Sequence, residues 1–395
     1  MPEGVYHRAL KAEVEVVDGS VNNLLWDLAL YRHVLQRVVD ALWDLGKTPR
    51  KSQLHQLFYP MLRNYGFRAH VARNIYNMGL SLVESARRNN GSKPVVKKLS
   101  SRLDYQDAKV DLGNGLVRVI LRGKWFTLRI KHRKDYVDRF SGLKWKEIQL
   151  KYYNGKLYVS IVFEVRYEPF APKGVVAIDT NLKQIVAFNG SSVRRYETRF
   201  VEALSERARA EEIQKKYPKR WRYNQRILNR VRFLYRKARN IVIDWSWKFA
   251  KEIVLRAGKM GLAIALEDLT YLRESASENG GGTAWKLSMF AYRRLQHSIV
   301  SKAVEYNVPI IFVDPKNTSS TCPKCGAKLL YSHRLANCTI CEFKADRDTV
   351  GAMNIWYRSI QAYVGVPGSL PNTLPVKDEA RRREGTKDEG MKKSN

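Results

Sequence analysis

Polar and apolar residues alternate weakly from Tyr6 to Val17 and stop at Asp18-Gly19, which predicts an opening strand and a turn. From Asn22 the period becomes helical. Leu24, Leu28, Tyr31, Leu35, Val38 and Leu42 fall on one face, and the pattern ends near Gly46 and Pro49. Two further helices are predicted, Ser52 to Arg63 and Ala69 to Arg88; Val71, Ile75, Met78 and Leu82 line one face of the second, and Asn89-Asn90-Gly91 stops it. From Lys97 to Glu168 the period shortens to that of strands, in runs Leu116 to Leu121, Trp125 to Ile130, Ile148 to Tyr153 and Leu157 to Val165. Asn154-Gly155 between the last two is a hairpin signal, because both residues tolerate the positive φ of a tight turn. The chain up to about residue 170 thus predicts a β-barrel-like module with a helical bundle inserted after its first strand, bounded at Glu168-Pro169 to Pro172-Lys173.

Beyond that boundary the pattern changes again. Gly174-Val175-Val176-Ala177-Ile178-Asp179 is apolar until its last residue, as in a buried central strand that delivers a carboxylate to a sheet edge. Ile185 to Asn189 with Gly190, then Val193 to Tyr196, complete a meander. A basic helical stretch and a further helix, Ile241 to Ala257, lead to a second apolar strand, Gly261 to Leu266, ending at Glu267-Asp268. Asn279 to Thr283, with three glycines running, is expected to be a mobile loop. Leu287 to Tyr306 reads as a helix and Val308 to Val313 as a third apolar strand. From Gly365 the chain is rich in proline and charge, and a disordered tail is expected over 363–395.

Charge narrows the class of partner. Of 395 residues, 71 are Lys or Arg against 38 Asp or Glu, a net +33, while 44% hydrophobic residues are enough for folded cores. A large, aromatic-rich chain with this balance points to nucleic acid. The densest segment, Glu206 to Asn240, holds 13 basic and 3 acidic residues interleaved with aromatics. Lys215, Lys216, Lys219, Arg220, Trp221, Arg222, Arg226 and Arg230 are its candidates for neutralising phosphates and stacking on bases. The plainer alternative is a solvated helical hairpin with its aromatics packed underneath. No secretory signal pattern opens the chain, and no run approaches the ~18 apolar residues of a membrane helix, so an intracellular protein of the cytoplasm or nucleoid is expected.

All four cysteines lie in one stretch, as the pairs Cys322/Cys325 and Cys338/Cys341 with twelve residues between them. Two CxxC turns can present four thiolates to one tetrahedral zinc, a closed site with no position left for water. The zinc is therefore expected to be structural, and His333 within the loop is expected at the surface. Just downstream, Asp348 opens a helical pattern. With Asp179 and Glu267 it makes three carboxylates delivered by three elements, as an RNase H-like site needs to hold divalent ions for phosphodiester hydrolysis. Asp268 and Asp346 are the neighbouring rivals.

The order VVAIDTNLKQIVAF, ALEDL, VDPKNTSSTCPKCG, a second CxxC and ADRDTVGAMNI resembles the TnpB family of transposon-encoded RNA-guided nucleases, related to miniature type V CRISPR effectors. The likeness covers Gly174 to about Ile360 in motifs, and the N-terminal half in organisation only. It implies an α+β multidomain fold: a wedge-like β-barrel (1–22 and 97–170), a helical recognition bundle (23–96), a RuvC (RNase H-like) nuclease domain (171–318 and 345–362) and an inserted zinc ribbon (319–344). It places the catalytic carboxylates at Asp179, Glu267 and Asp348, binding Mg²⁺ (Mn²⁺ as the alternative), and the zinc ligands at Cys322, Cys325, Cys338 and Cys341. It implies a guide RNA from the transposon end and a double-stranded DNA target beside a short flanking motif that the protein reads itself. A monomer is expected.

Three positions depart from the family pattern. Asn181 stands where a glycine commonly follows the first aspartate, and DRDxNAAxNI is DRDTVGAMNI, with Val350 and Gly351 replacing Asn-Ala. None of these changes removes a carboxylate. Two other readings stay open on the sequence: a guide-dependent DNA-binding repressor that does not cut, and a transposase or resolvase that works without RNA.

Overall fold

The computed structural model describes residues 4–46, 49–269 and 283–364. The chain divides into two compact units, Val5–Arg166 and the segment from Tyr167 onward.

The first unit opens with β1 (Gly4–Asp18), followed by helices α1 (Val21–Asp44), α2 (Lys51–Asn64) and α3 (Ala69–Arg88). Strands β2 (Leu99–Asp104), β3 (Ala108–Asp111), β4 (Leu116–Ile120) and β5 (Trp125–Lys131), a short helix α4 (Lys134–Val137), and the hairpin β6 (Trp145–Tyr153)–β7 (Lys156–Tyr167) complete it. Ser20 caps α1 by accepting from Asn23 N, satisfying one of the otherwise orphaned N–H groups of the first turn. Every residue of the predicted α1 stripe is buried, and helices and sheet share one core. Gly79 permits the closest helix contact: a β-carbon there would meet Val38 Cγ1 at 2.7 Å, so α3 sits directly on α1.

The seven strands form one sheet in the order β2-β6-β7-β1-β5-β4-β3. β2 and β3 lie at opposite edges, yet only Tyr105, Gln106 and Asp107 join them. A connection that short spans little more than ~10 Å, so the sheet must curl until its edges meet at that corner. The barrel expected from sequence is therefore a half-barrel, closed at a corner and not by a ladder between β2 and β3. Asp107, fully buried, fixes the corner. Its backbone carbonyl accepts from Ile120 N at 2.9 Å and its carboxylate from Arg68 Nε at 2.9 Å.

The second unit contains β8 (Gly174–Thr180), β9 (Gln184–Phe188), β10 (Val193–Glu197), α5 (Phe200–Lys216), α6 (Arg220–Tyr223), α7 (Gln225–Met260), β11 (Leu262–Glu267), α8 (Thr283–Glu305), β12 (Ile310–Val313), β13 (Leu330–Ser332), β14 (Leu335–Asn337), β15 (Lys344–Asp346) and α9 (Arg347–Val364). Its main sheet runs β10-β9-β8-β11-β12, with β8, β11 and β12 parallel and the first three strands an antiparallel meander. Val176, Ile178, Ile264 and Leu266 face α7 and α8, whereas Val175, Ala177, Ala263 and Ala265 pack with Ile355 of α9. Helices on both faces explain why these strands read as unbroken apolar runs.

The second half of the basic stretch, from Gln225, and the helix expected from Ile241 are one helix, α7, 36 residues long. Nothing between Gln225 and Ala257 breaks it, since that span has neither glycine nor proline. The break lies earlier, at Pro218-Lys219, where Lys219 takes φ +63°. α7 stops at Gly261, a left-handed C-cap. Helix α9 continues through Val364, past the expected start of the tail at 363. Residues 279–282 of the expected mobile loop, and 365–395 of the tail, lie outside the described residues. Among the described residues no helix is long and apolar enough to cross a membrane.

Candidate active site and metal centre

Asp179, Glu267 and Asp348 are brought together. Parallel pairing sets Ala265 opposite Ala177, and two residues further along the same register Glu267 comes level with Asp179 at the carboxyl ends of β11 and β8. Asp179 shares a face with Val175 and Ala177, the face covered by α9, whose first turn carries Asp348. Asp179 is 9% exposed and Asp348 3%. Burial, then Glu267, then Asp348 push the Asp179 carboxyl up to about 8, against the pull of a hydrogen bond from Asn181 Nδ2 at 2.7 Å. Among the described residues the tight metal-sized cluster is that of the cysteines, and the three acids offer a looser set of oxygen donors, the kind a hard divalent cation takes.

Each acid has a partner that sequence reasoning missed. Thr318 Oγ1 donates to Glu267 Oε1 at 2.6 Å, opposing the upward push of burial on that carboxyl. Thr318 is itself fixed by Asn354 of α9, whose Nδ2 donates to the carbonyls of Thr318 and Thr321 at 2.7 and 2.8 Å. Gln184 Nε2 donates to Asp348 Oδ2 at 2.8 Å. The Arg334 guanidinium, carried on the turn between β13 and β14, bonds Asp348 and reaches Asp346 at 3.3 Å. The phenol of Tyr292 on α8 is pushed up by burial and then by the charges of Asp179 and Asp348. Thr318 and Asn354 sat inside motifs already singled out, but nothing in their spacing shows that one holds the other. Arg334 had no local signal at all.

The rivals separate by role. Asp346 Oδ1 accepts from Asp348 N at 3.0 Å, so it caps the helix that presents Asp348. Asp268 N donates to Val313 O at 2.8 Å, continuing the β11–β12 ladder past Glu267. Two of the three departures from the family pattern, Gly351 and Val350, are packed. Gly351 lies against Asp179, where a β-carbon would stand 3.0 Å from Cγ and Oδ2. Val350 is fully buried among Cys322, Leu329, Ala336 and Cys338.

The four cysteine sulfurs lie within 4.8 Å of one another, with Cys322–Cys341 at 3.5 Å and Cys325–Cys338 at 3.4 Å. A tetrahedral zinc with ~2.3 Å bonds needs sulfurs about 3.8 Å apart, so this set fits one zinc. Backbone N–H groups of Cys341 and Ile340 donate to Cys338 and pull its thiol down, while burial and the adjoining sulfurs push Cys341 and Cys325 up, as four thiols crowded into one site compete for a single charge. The short antiparallel sheet β13-β14-β15 leads from this cluster directly into α9. His333 is exposed and outside the sulfur cluster.

The basic candidates spread over one turn. Lys215 and Lys216 end α5, Lys219, Arg220, Trp221 and Arg222 form the turn and α6, and Arg226 and Arg230 begin α7. Trp221 packs onto the Ala210–Val231–Leu234 cluster beneath Arg222, whereas Tyr223 is 87% exposed. The free aromatic face of this turn belongs to Tyr223.

Comparison with known proteins follows the same geography. The model of the Cas12f1-like TNB domain matches residues 292–355, from α8 through the cysteine cluster to α9. A TnpB-like protein of Methanocaldococcus jannaschii is 33% identical over 30% of this chain and 43% of its own length, so the chain spans less than half of that relative. Another TnpB-like protein of that organism is 22% identical over 83% of this chain and 80% of its own. The CRISPR-associated endodeoxyribonuclease Cas12f1 of Sulfoacidibacillus thermotolerans is 31% identical over 27% of this chain and 25% of its own. Among solved structures, the cryo-EM structure of a Cas12f1–sgRNA–target DNA complex aligns with TM-score 0.54 at 12% identity, over 89% of this chain and 98% of that one, a likeness of fold. With the motif order, the cysteine cluster and these matches in agreement, the chain belongs to the TnpB family.

Proposed function

We propose that this protein is an RNA-guided DNA endonuclease of a transposable element, cutting beside a short flanking motif at a single RuvC-type site. The observation that carries the reading is the convergence of Asp179, Glu267 and Asp348 from β8, β11 and α9, with Asp179 buried against the other two. A meander followed by parallel strands, with carboxylates at the ends of adjacent strands, supports an RNase H-like domain. The sulfur cluster before α9 supports a zinc ribbon. The charge of +33 and the relatives' guide-RNA chemistry support RNA and DNA as partners.

In this reading Asp179, Glu267 and Asp348 hold Mg²⁺, with Mn²⁺ as a substitute. Bound there, the ions supply an activated water and stabilise the leaving oxygen of the phosphodiester. The protein's own part is positional. Thr318 orients Glu267, Asn181 orients Asp179, and Gln184 with Arg334 orients Asp348. The zinc unit clips the start of α9, so that Asp348 is presented from a fixed helix end.

The test is plasmid cleavage by protein coexpressed with its own downstream genomic flank, on a guide-matched target beside a randomised motif. Mg²⁺-dependent linear product that vanishes in Asp179→Ala is expected. Binding without cutting by both proteins would favour the guide-dependent repressor instead, and cutting that persists after RNase treatment would favour an RNA-independent transposase or resolvase.

A further inference from the structure

A second site lies on the other face and at the other end of the same sheet. Between β8, β9, β10 and the C-terminal part of α7 is a cavity of about 150 Å³. Its floor is apolar: Val176, Ala187, Ile253, Ala257 and Leu262. Val176 faces α7 while Asp179 faces α9, so the cavity shares no wall with the acidic site.

The rim is made of donors. Arg194 and Arg256 both line it, no acid does, and neither arginine has an ion pair among the described residues. Arg256 Nη1 donates to Tyr196 OH at 3.5 Å, and burial pushes that phenol up against the pull of Arg194, with Glu252 adding to the push. Asn189 Oδ1 already accepts from the backbone and hydroxyl groups of Ser191 and Ser192, at 2.8–3.2 Å. That leaves its Nδ2, which donates to nothing among the described residues, as its free hydrogen-bonding group.

A space of this size admits one six-membered ring, as engineered cavities of about 150 Å³ admit benzene. An apolar floor, a rim of donors and two guanidiniums together ask for a planar ring with carbonyl acceptors attached to an anion. We propose that this cavity binds a single unpaired pyrimidine nucleotide of the RNA partner. Its ring lies on Val176, Ala187 and Ile253, its carbonyls accept from Asn189 and Tyr196, and a flanking phosphate bonds Arg194 and Arg256. The proposal rests on RNA binding as read above. A purine is too large for the floor, and a lone anion gains nothing from it.

The test uses the full chain and an oligouridylate carrying one 4-thiouridine, cross-linked by near-ultraviolet light and mapped by peptide mass spectrometry. Cross-links within 189–196 or 253–262 are expected. They should fall by about tenfold in Ser192→Trp, which blocks the exposed rim, and in Arg256→Gln, while cross-links in 215–230 and the melting temperature stay unchanged. Oligoadenylate should compete at this site about tenfold less well than oligouridylate. Cross-links confined to 215–230, an unchanged yield in Ser192→Trp, or equal competition by both oligomers would overturn the pocket while leaving RNA binding intact. No cross-link anywhere would overturn both readings, and failure of the plasmid assay with the pocket cross-link intact would overturn only the cleavage reading.

Discussion

Gly351 of α9 lies against the carboxyl of Asp179, and a β-carbon on it would stand 3.0 Å from Cγ and Oδ2. Asn181 holds the same Oδ2 through a 2.7 Å hydrogen bond. Two of the three departures from the family pattern, Asn181 and Gly351, therefore act on one carboxylate. With Asn181 in place the carboxyl cannot retreat from an alanine at 351 without losing its bond. Gly351→Ala is expected to lower metal-dependent cleavage about tenfold, since a few tenths of an ångström matter at reacting groups. Asn181→Gly alone loosens Asp179 and costs less. The double variant, which restores the family pair, should recover most of the loss. Cleavage rates of all four proteins give the coupling directly, and strictly additive losses would contradict it.

Thr318 carries a second prediction. Among the described residues its hydroxyl is the one side-chain donor on the Glu267 carboxylate, and Asn354 holds its carbonyl. Thr318→Val keeps the shape and removes the bond. A bond to a charged group contributes about 1.5–3 kcal/mol, so a fall in cleavage of roughly 10- to 100-fold is expected with little change in RNA binding. Thr318→Ser should stay near wild type. If Thr318→Val and Thr318→Ser cleave equally, the hydroxyl does not position Glu267.

Much of this was legible in the chain, for a physical reason. Strands β8 and β11 are buried on both faces, so Asp179 and Glu267 stand out as carboxylates ending apolar runs, and four cysteines in two CxxC turns have few other uses. What escaped were contacts between residues distant in sequence. Arg334 reaches Asp348 only because β13 and β14 fold back beside β15, and Thr318 meets Glu267 across 51 positions. The identity of Val350 likewise makes sense only in space, where it completes the core of the cysteine cluster. The long helix α7 was misjudged because a change from basic to apolar composition at Ile241 resembles a boundary, although nothing in the backbone stops there. The half-barrel was visible as alternating runs, but its corner at Asp107 depends on pairing order, which periodicity does not carry.

The cysteine cluster predicts a metal dependence separable from catalysis. One zinc per chain is expected by elemental analysis, lost in Cys338→Ser. Removing it by chelation should make the segment 320–346 sensitive to protease while Val5–Arg166 stays resistant, because metal binding and local folding are one equilibrium here. Arg334 would then leave Asp348, so cleavage should fall with the zinc even when Mg²⁺ is abundant. Full protease resistance after complete removal of zinc would show that the clip folds without metal.

Stability of the first unit should depend on Gly79. The α1–α3 contact brings Val38 Cγ1 to 2.7 Å of the position a β-carbon would take, and Leu42 Cδ1 to 3.6 Å. In an ordinary helix interior, Gly→Ala would add about 0.8–1.0 kcal/mol through propensity. Here the helix cannot move away without opening the core shared with the sheet, and overpacking of this kind costs about 1–3 kcal/mol. The sign is therefore reversed: Gly79→Ala is expected to lower the denaturant midpoint of this unit, whereas Gly79→Ala combined with Val38→Ala should regain part of the loss by clearing Cγ1. Denaturation of both variants, followed by a probe within Val5–Arg166, decides it. A stabilised single variant would mean that α1 and α3 are not in contact at this glycine.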